Sequence, residues 1–155
     1  MDVNYINPFL DSFTNIMPQL GFKNIKKNSI KLNGRYIRSP GVVVIIGLVG
    51  DIKGNIIYGM SVDDAKKISS KMMMGIPVEN FDGLSQSAIS ELINMLTANS
   101  ATNFSNDNIN IDISTPTIIQ GDFTANASSE KVICVKVGID ELSIEVNISL
   151  EKNAL

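Results

Sequence analysis

Hydrophobic positions recur at two periods along the chain, and each period predicts an element. Phe9, Phe13, Ile16, Met17 and Leu20 fall on one helical face, with Asn7 as cap and Pro8 at the first helical position, or with an earlier start around Asn4 as the alternative. Pro18 should kink or shorten the end of that helix, and Gly21 can close it. Ser29 to Leu32 alternates weakly, and GVVVIIGLVG from Gly41 to Gly50 is a continuous β-branched run suited to a strand buried on both faces. The segment DIKG then predicts a hairpin into a strand from Asn55 to Met60. Ser61 and Asp64 form a capping pair for a second helix through Val62, Ala65, Ile68 and Met72, ending near Gly75, with Met72 to Met74 expected in the core in preference to the alternative, an adaptable partner surface.

After a loop from Pro77 to Gly83, with Asp82 placed to cap, a third helix begins. Its apolar arc is predicted over Leu84, Ala88, Leu92, Met95 and Leu96, with Ile89 and Ile93 further round. Ser87, Glu91, Asn94 and Ala98 fall at spacings that put them on one polar, outward face. Turn residues from Asn103 to Asn108 end this helix, and Ile109, Ile111 and Ile113 alternate into Pro116. Strands follow at Ile118-Ile119, Lys131 to Gly138 and Leu142 to Leu150, with a turn from Gly138 to Glu141. Three helices and about six strands, many joined by hairpins, predict an α+β fold with a largely antiparallel sheet.

Composition narrows the function. The 155 residues suit a single domain over 1–155, and 44% hydrophobic content supports a packed core. A net charge of -3 gives no basic footprint for nucleic acid or anionic membrane. There is no His, so Ser/His/Asp chemistry and histidine-ligated metals are excluded. Cys134 stands alone, with no disulfide framework and no base for a catalytic thiol, and reads as a small strand residue in a reducing compartment. The glycines from Gly41 to Gly54 lack the Walker GK[ST] ending and the dinucleotide spacing. No charged and apolar leader opens the sequence and no apolar run spans a bilayer, so the expected location is cytoplasmic, away from the membrane.

The chemistry concentrates on Ser87, three residues, Glu91, two residues, Asn94, twenty-one residues and Pro116. This pattern resembles the signature of the CheC/CheX/FliY phosphatases of bacterial chemotaxis, and the opening NYINPFLDSF is similar to the start of CheX proteins. The resemblance implies a CheC-like fold with long helices covering the sheet, and hydrolysis of the aspartyl-phosphate of a CheY-like receiver. It also implies a homodimer joined through sheets. No cofactor of its own is implied, since the receiver brings Mg2+ and a lysine. By the same resemblance Glu91 anchors on the receiver lysine.

Side-chain chemistry agrees with these roles. An acyl phosphate is already activated, so the phosphatase need only place a water in line with phosphorus, and the neutral amide of Asn94 suits that task. Ser87 is a small neutral residue on the same face. Pro116 offers neither donor nor charge, and is read as rigid backbone support. The first helix offers Asp11, Asn15 and Pro18 where a second site would be sought, and lacks the Glu, which predicts one site per chain.

The main alternative is a non-catalytic receiver-binding or flagellar-switch-binding module with the same fold, which the pairing of Glu91 with Asn94 disfavours. A small-molecule enzyme or metal hydrolase would need convergent acids. Asp63-Asp64 and Asp140-Glu141 instead sit at a helix start and a turn, where carboxylates are favoured for local reasons.

Overall fold

The computed structural model describes residues 3–153. Its first half contains α1 (Asn7–Ile16), β1 (Ile25–Asn33), β2 (Tyr36–Arg38), β3 (Val42–Gly50), β4 (Ile52–Met60) and α2 (Val62–Met72). The second half contains α3 (Gly83–Asn106), β5 (Ile111–Ile113), β6 (Thr117–Gln120), β7 (Thr124–Asn126), β8 (Val132–Ile139) and β9 (Leu142–Lys152). The antiparallel α+β reading holds, with nine strands among the described residues rather than about six. The short β2 and β7 were missed because neither is long enough to show a period.

The main sheet runs β1-β8-β9-β4-β3-β5, with β6 also on β3, and every pairing is antiparallel. The apolar run in β3 explains the layering. Val42, Val44, Ile46 and Leu48 enter the core beneath the helices, while Val43 packs on the other face with Ile37, Ile57, Ala125, Ala127 and Val132. The β2-β7 ribbon supplies part of that second cover. β9 is an interior strand between β8 and β4, and even its Asn147 and Ser149 are buried.

Helix ends follow local chemistry with two departures. Ser61 accepts from the Asp64 backbone N at 3.1 Å, and Pro18 turns the end of α1 into a 3₁₀ segment that Gly21 closes at φ 95°. The cap of α1, however, is Ile6, with Asn7 already helical and Pro8 in the first turn. Asp82 occupies the N-cap of α3 but its carboxylate makes no capping bond; its backbone carbonyl instead accepts from Ser85 Oγ at 2.9 Å.

The buried side of α3 is Ser85, Ile89, Leu92, Ile93, Leu96, Thr97, Ser100 and Phe104. The expected apolar arc is therefore rotated, and Leu84 lies outside it. Three small hydroxyl residues on the buried side explain the displaced prediction, because they read as polar yet bond inward. Thr97 Oγ1 donates to Ile93 O at 2.8 Å and lies 2.8 Å from Tyr58 Oη on β4. Burial pushes the Tyr58 phenol well above its ordinary range, so that hydroxyl stays neutral. The methionine run also splits: Met72 packs partly against the core, whereas Met74 is exposed.

Candidate active site

Ser87, Glu91 and Asn94 project from the outer side of α3 because the buried side is claimed by Ile89, Leu92, Ile93 and Leu96. Ser87 and Glu91 are exposed and Asn94 is half-buried. No side-chain hydrogen bond or ion pair within the described residues occupies any of the three. Their polar atoms are available to a partner.

Pro116 reaches them from the sheet. On β3, Leu48 pairs with Ile113 of β5 and Ile45 with Thr117 of β6, so one extra residue is inserted at Ser114-Thr115-Pro116. Ser114 fastens this bulge, its backbone N donating to Gly47 O at 2.9 Å and its Oγ accepting from Gly47 N at 2.8 Å. The bulged segment places Thr115 and Pro116 in a groove with Ser87, Glu91 and Asn94. All four motif residues thus line one concavity, formed between α3 and the edge of the sheet.

Gly83, Gln86, Ser90 and Ile118 complete the lining, and none of them carries a functional reading from the sequence. Gln86, Ser90 and Asn94 form an i, i+4, i+8 row beside Ser87 and Glu91, and that row was a usable signal. Gln86 Nε2 donates to Gln120 Oε1 at 3.3 Å, linking α3 to β6 beside the groove.

Glu91 is the one charged residue among those lining the groove. A lone carboxylate in a neutral, hydroxyl-rich and amide-rich groove favours a cation and repels free phosphate. Any phosphoryl group handled here needs cations from its carrier. Among the described residues, no group of three or more His, Cys, Asp or Glu is placed to hold a metal ion.

The corresponding part of α1 holds no such arrangement. Asn15 Nδ2 donates to Asn99 Oδ1 at 3.0 Å, so that amide is engaged in joining α1 to α3. Cys134 is buried on β8, and its thiol is pushed up by burial and then by nearby Glu145, which keeps it protonated.

Comparisons with known proteins place the chain in a family. The family model described as chemotaxis phosphatase CheX matches residues 42–138, a span containing all four motif residues. The CheY-P phosphatase CheX of Thermotoga maritima is 33% identical over 125 residues, covering 78% of each chain. A CheC-like superfamily protein from Shewanella sp. PV-4 superposes with a TM-score of 0.84 at 26% identity, over 97% of this chain and 99% of that one. The CheX-CheY-BeF3-Mg2+ complex from Borrelia burgdorferi matches with a TM-score of 0.76 at 24% identity, over 97% of this chain and 100% of that chain. The chain belongs to the chemotaxis phosphatase CheX family. It is a phosphatase with the CheC-like α+β fold.

Proposed function

We propose that this chain, acting as one CheC-like domain in the cytoplasm, hydrolyses the aspartyl-phosphate of a CheY-like receiver. The observation that carries the reading is the meeting of Ser87, Glu91, Asn94 and Pro116 in one groove, with no side-chain partner among the described residues for the three polar members. Its similarity to a CheY-P phosphatase and to a protein solved with CheY supports the same substrate.

In this reading Glu91 receives the ammonium of the receiver's active-site lysine, a charge-assisted contact that fixes register. Asn94, one turn on, accepts a hydrogen bond from water and holds it in line with phosphorus. Water attacks as the bond from phosphorus to the aspartyl oxygen breaks, leaving a free receiver carboxylate and inorganic phosphate. The groove has no cation of its own to offset phosphoryl charge, so Mg2+ and lysine come with the receiver. Pro116 and the Ser114 anchor hold the opposite wall, and Ser87 leaves room at the edge.

The assembly expected with this function is a symmetric homodimer with both grooves open. Since β9 is interior, the edge that can pair without covering Pro116 is β1, at the far side of the sheet from β5 and β6. The decisive test of function is the decay of a phosphorylated receiver with and without this chain. Acceleration supports an enzyme; tight binding with unchanged decay would instead favour a receiver-binding or switch-binding module.

A further inference from the structure

We infer that the apolar hollow beside the first turn of α3 is a second contact for the receiver, taking an apolar side chain flanked by basic residues from the surface bordering the phosphorylated aspartate. This rests on the receiver reading above and assigns the hollow to affinity rather than to the chemical step.

Three large apolar side chains are exposed close together in the chain: Met74 at 97%, Ile76 at 58% and Leu84 at 70%. Single exposed apolar residues are ordinary, whereas a local group beside a polar groove marks an interaction surface. Ile76 and Leu84 line one hollow with Met73, Pro77 and Val78. Glu79 and Asp82 also line it, so its acidic rim favours a partner with basic residues around the apolar contact.

The hollow is built rather than slack. Gly75 N donates to Ser70 O at 2.8 Å and Ile76 N to Met73 O at 3.3 Å, while Met74 and Gly75 adopt φ of 60° and 90°. These bonds tie the turn to the end of α2 and present Ile76 outward. Little ordering is left to be done on binding.

Position along the helix connects the hollow to the groove. Leu84 stands at i-3 from Ser87 and i-7 from Glu91, on the same side of α3. Seven residues span about 10 Å of helix axis. A protein partner covering about 800 Å² of one surface extends roughly 15 Å from its centre, so a receiver seated on Glu91 also covers Leu84. The first turn itself is shared: Gly83 and Gln86 face the groove, Leu84 and Ser85 the hollow.

The test uses the full chain and a CheY-type receiver phosphorylated with acetyl phosphate, measuring decay rate against receiver-phosphate concentration. Leu84→Ser with Ile76→Ser should raise KM about tenfold. The same pair should leave kcat within about twofold, and Leu84→Met should restore KM. Both sites are exposed, so unchanged thermal unfolding is expected, and Ile76→Ser alone gives an off-helix control. Unchanged KM, or a loss confined to kcat, overturns the inference. A lowered mass in light scattering with KM unchanged assigns the hollow to a second copy of this chain and overturns it too. A wild-type chain that accelerates no receiver's decay overturns the receiver reading, and the inference with it; wild-type activity with unchanged KM in the variants removes the inference alone.

Discussion

Asn94 on α3 and Pro116 in the bulge between β5 and β6 line the same groove, although one belongs to the helical layer and the other to the sheet. The separation in sequence between them is therefore a packing distance in disguise. It is the length of chain needed to finish α3, turn at Asn108 and return along β3.

Asn94→Ala should abolish most receiver-phosphate decay while leaving the fold intact, because the half-buried amide has no side-chain partner to lose among the described residues. Loss of one positioned group of this kind costs on the order of 10² to 10³ in rate. Decay rates at the wild-type level would remove Asn94 from the chemistry.

Glu91→Ala should fail differently, weakening both receiver affinity and turnover, since it removes the groove's one negative charge. Binding to a receiver held in a phosphate-mimic state separates the two effects. If affinity is unchanged, Glu91 lies outside the contact.

Ser114→Ala tests whether the bulge positions Pro116. The hydroxyl accepts from Gly47 N at 2.8 Å, a bond whose net value is about 0.5 to 1.5 kcal/mol. The expected result is a small fall in stability together with a several-fold loss of kcat, with receiver affinity kept. A variant of unchanged turnover would make the anchor purely structural.

The grouping of Ser87, Glu91 and Asn94 on one side of α3 is legible in the sequence, because they differ by whole helical turns and the helix is long. The buried-side assignment of α3 failed at Leu84 for an equally physical reason. Ser85, Thr97 and Ser100 satisfy their hydroxyls within the helix or at Tyr58, which lets polar residues take positions that periodicity reserves for apolar ones. Met74 reads as core because methionine commonly fills core gaps, and a left-handed turn carries it outward instead. The bulge at Ser114 could not be read at all, since it depends on where β5 and β6 pair with β3.

Acid sensitivity should centre on Asp140, the turn between β8 and β9. Its carboxylate accepts from Asn24 N at 2.8 Å and from Lys23 N at 3.1 Å, and these bonds, Asn24's first, hold its pKa below the ordinary carboxylate range. Because the folded pKa is depressed, its stabilising contribution is present above the unfolded value of about 3.9 and fades as pH falls below it. Asp140→Ala should therefore lower Tm at neutral pH, with the deficit shrinking toward pH about 2. Part of the deficit should persist in acid, since Asp140 holds φ at 55°, where alanine is strained. Equal Tm values for both proteins at neutral pH would contradict this account.

Assembly gives the last prediction. An edge strand presents unpaired N–H and C=O groups, and proteins protect such edges with charge, a bulge or a partner. On β1, Lys26, Lys27 and Lys31 and the irregularity between Lys27 and Ser29 supply the first two, yet Ile30 and Leu32 remain exposed. Those two continue the core-facing rows of the sheet, Ile30 beside Val135 and Leu32 beside Ile133, so a second copy pairing at β1 would extend the same apolar surface. Pairing at β5 or β6 would instead crowd Pro116. A symmetric dimer through β1 is thus the arrangement that leaves both grooves open. Light scattering at micromolar concentration should give a dimer mass, and Leu32→Lys with Ile30→Lys should shift it toward monomer without loss of receiver dephosphorylation per chain. A strictly monomeric wild-type mass, or a dimer whose interface buries Asn94, would defeat it.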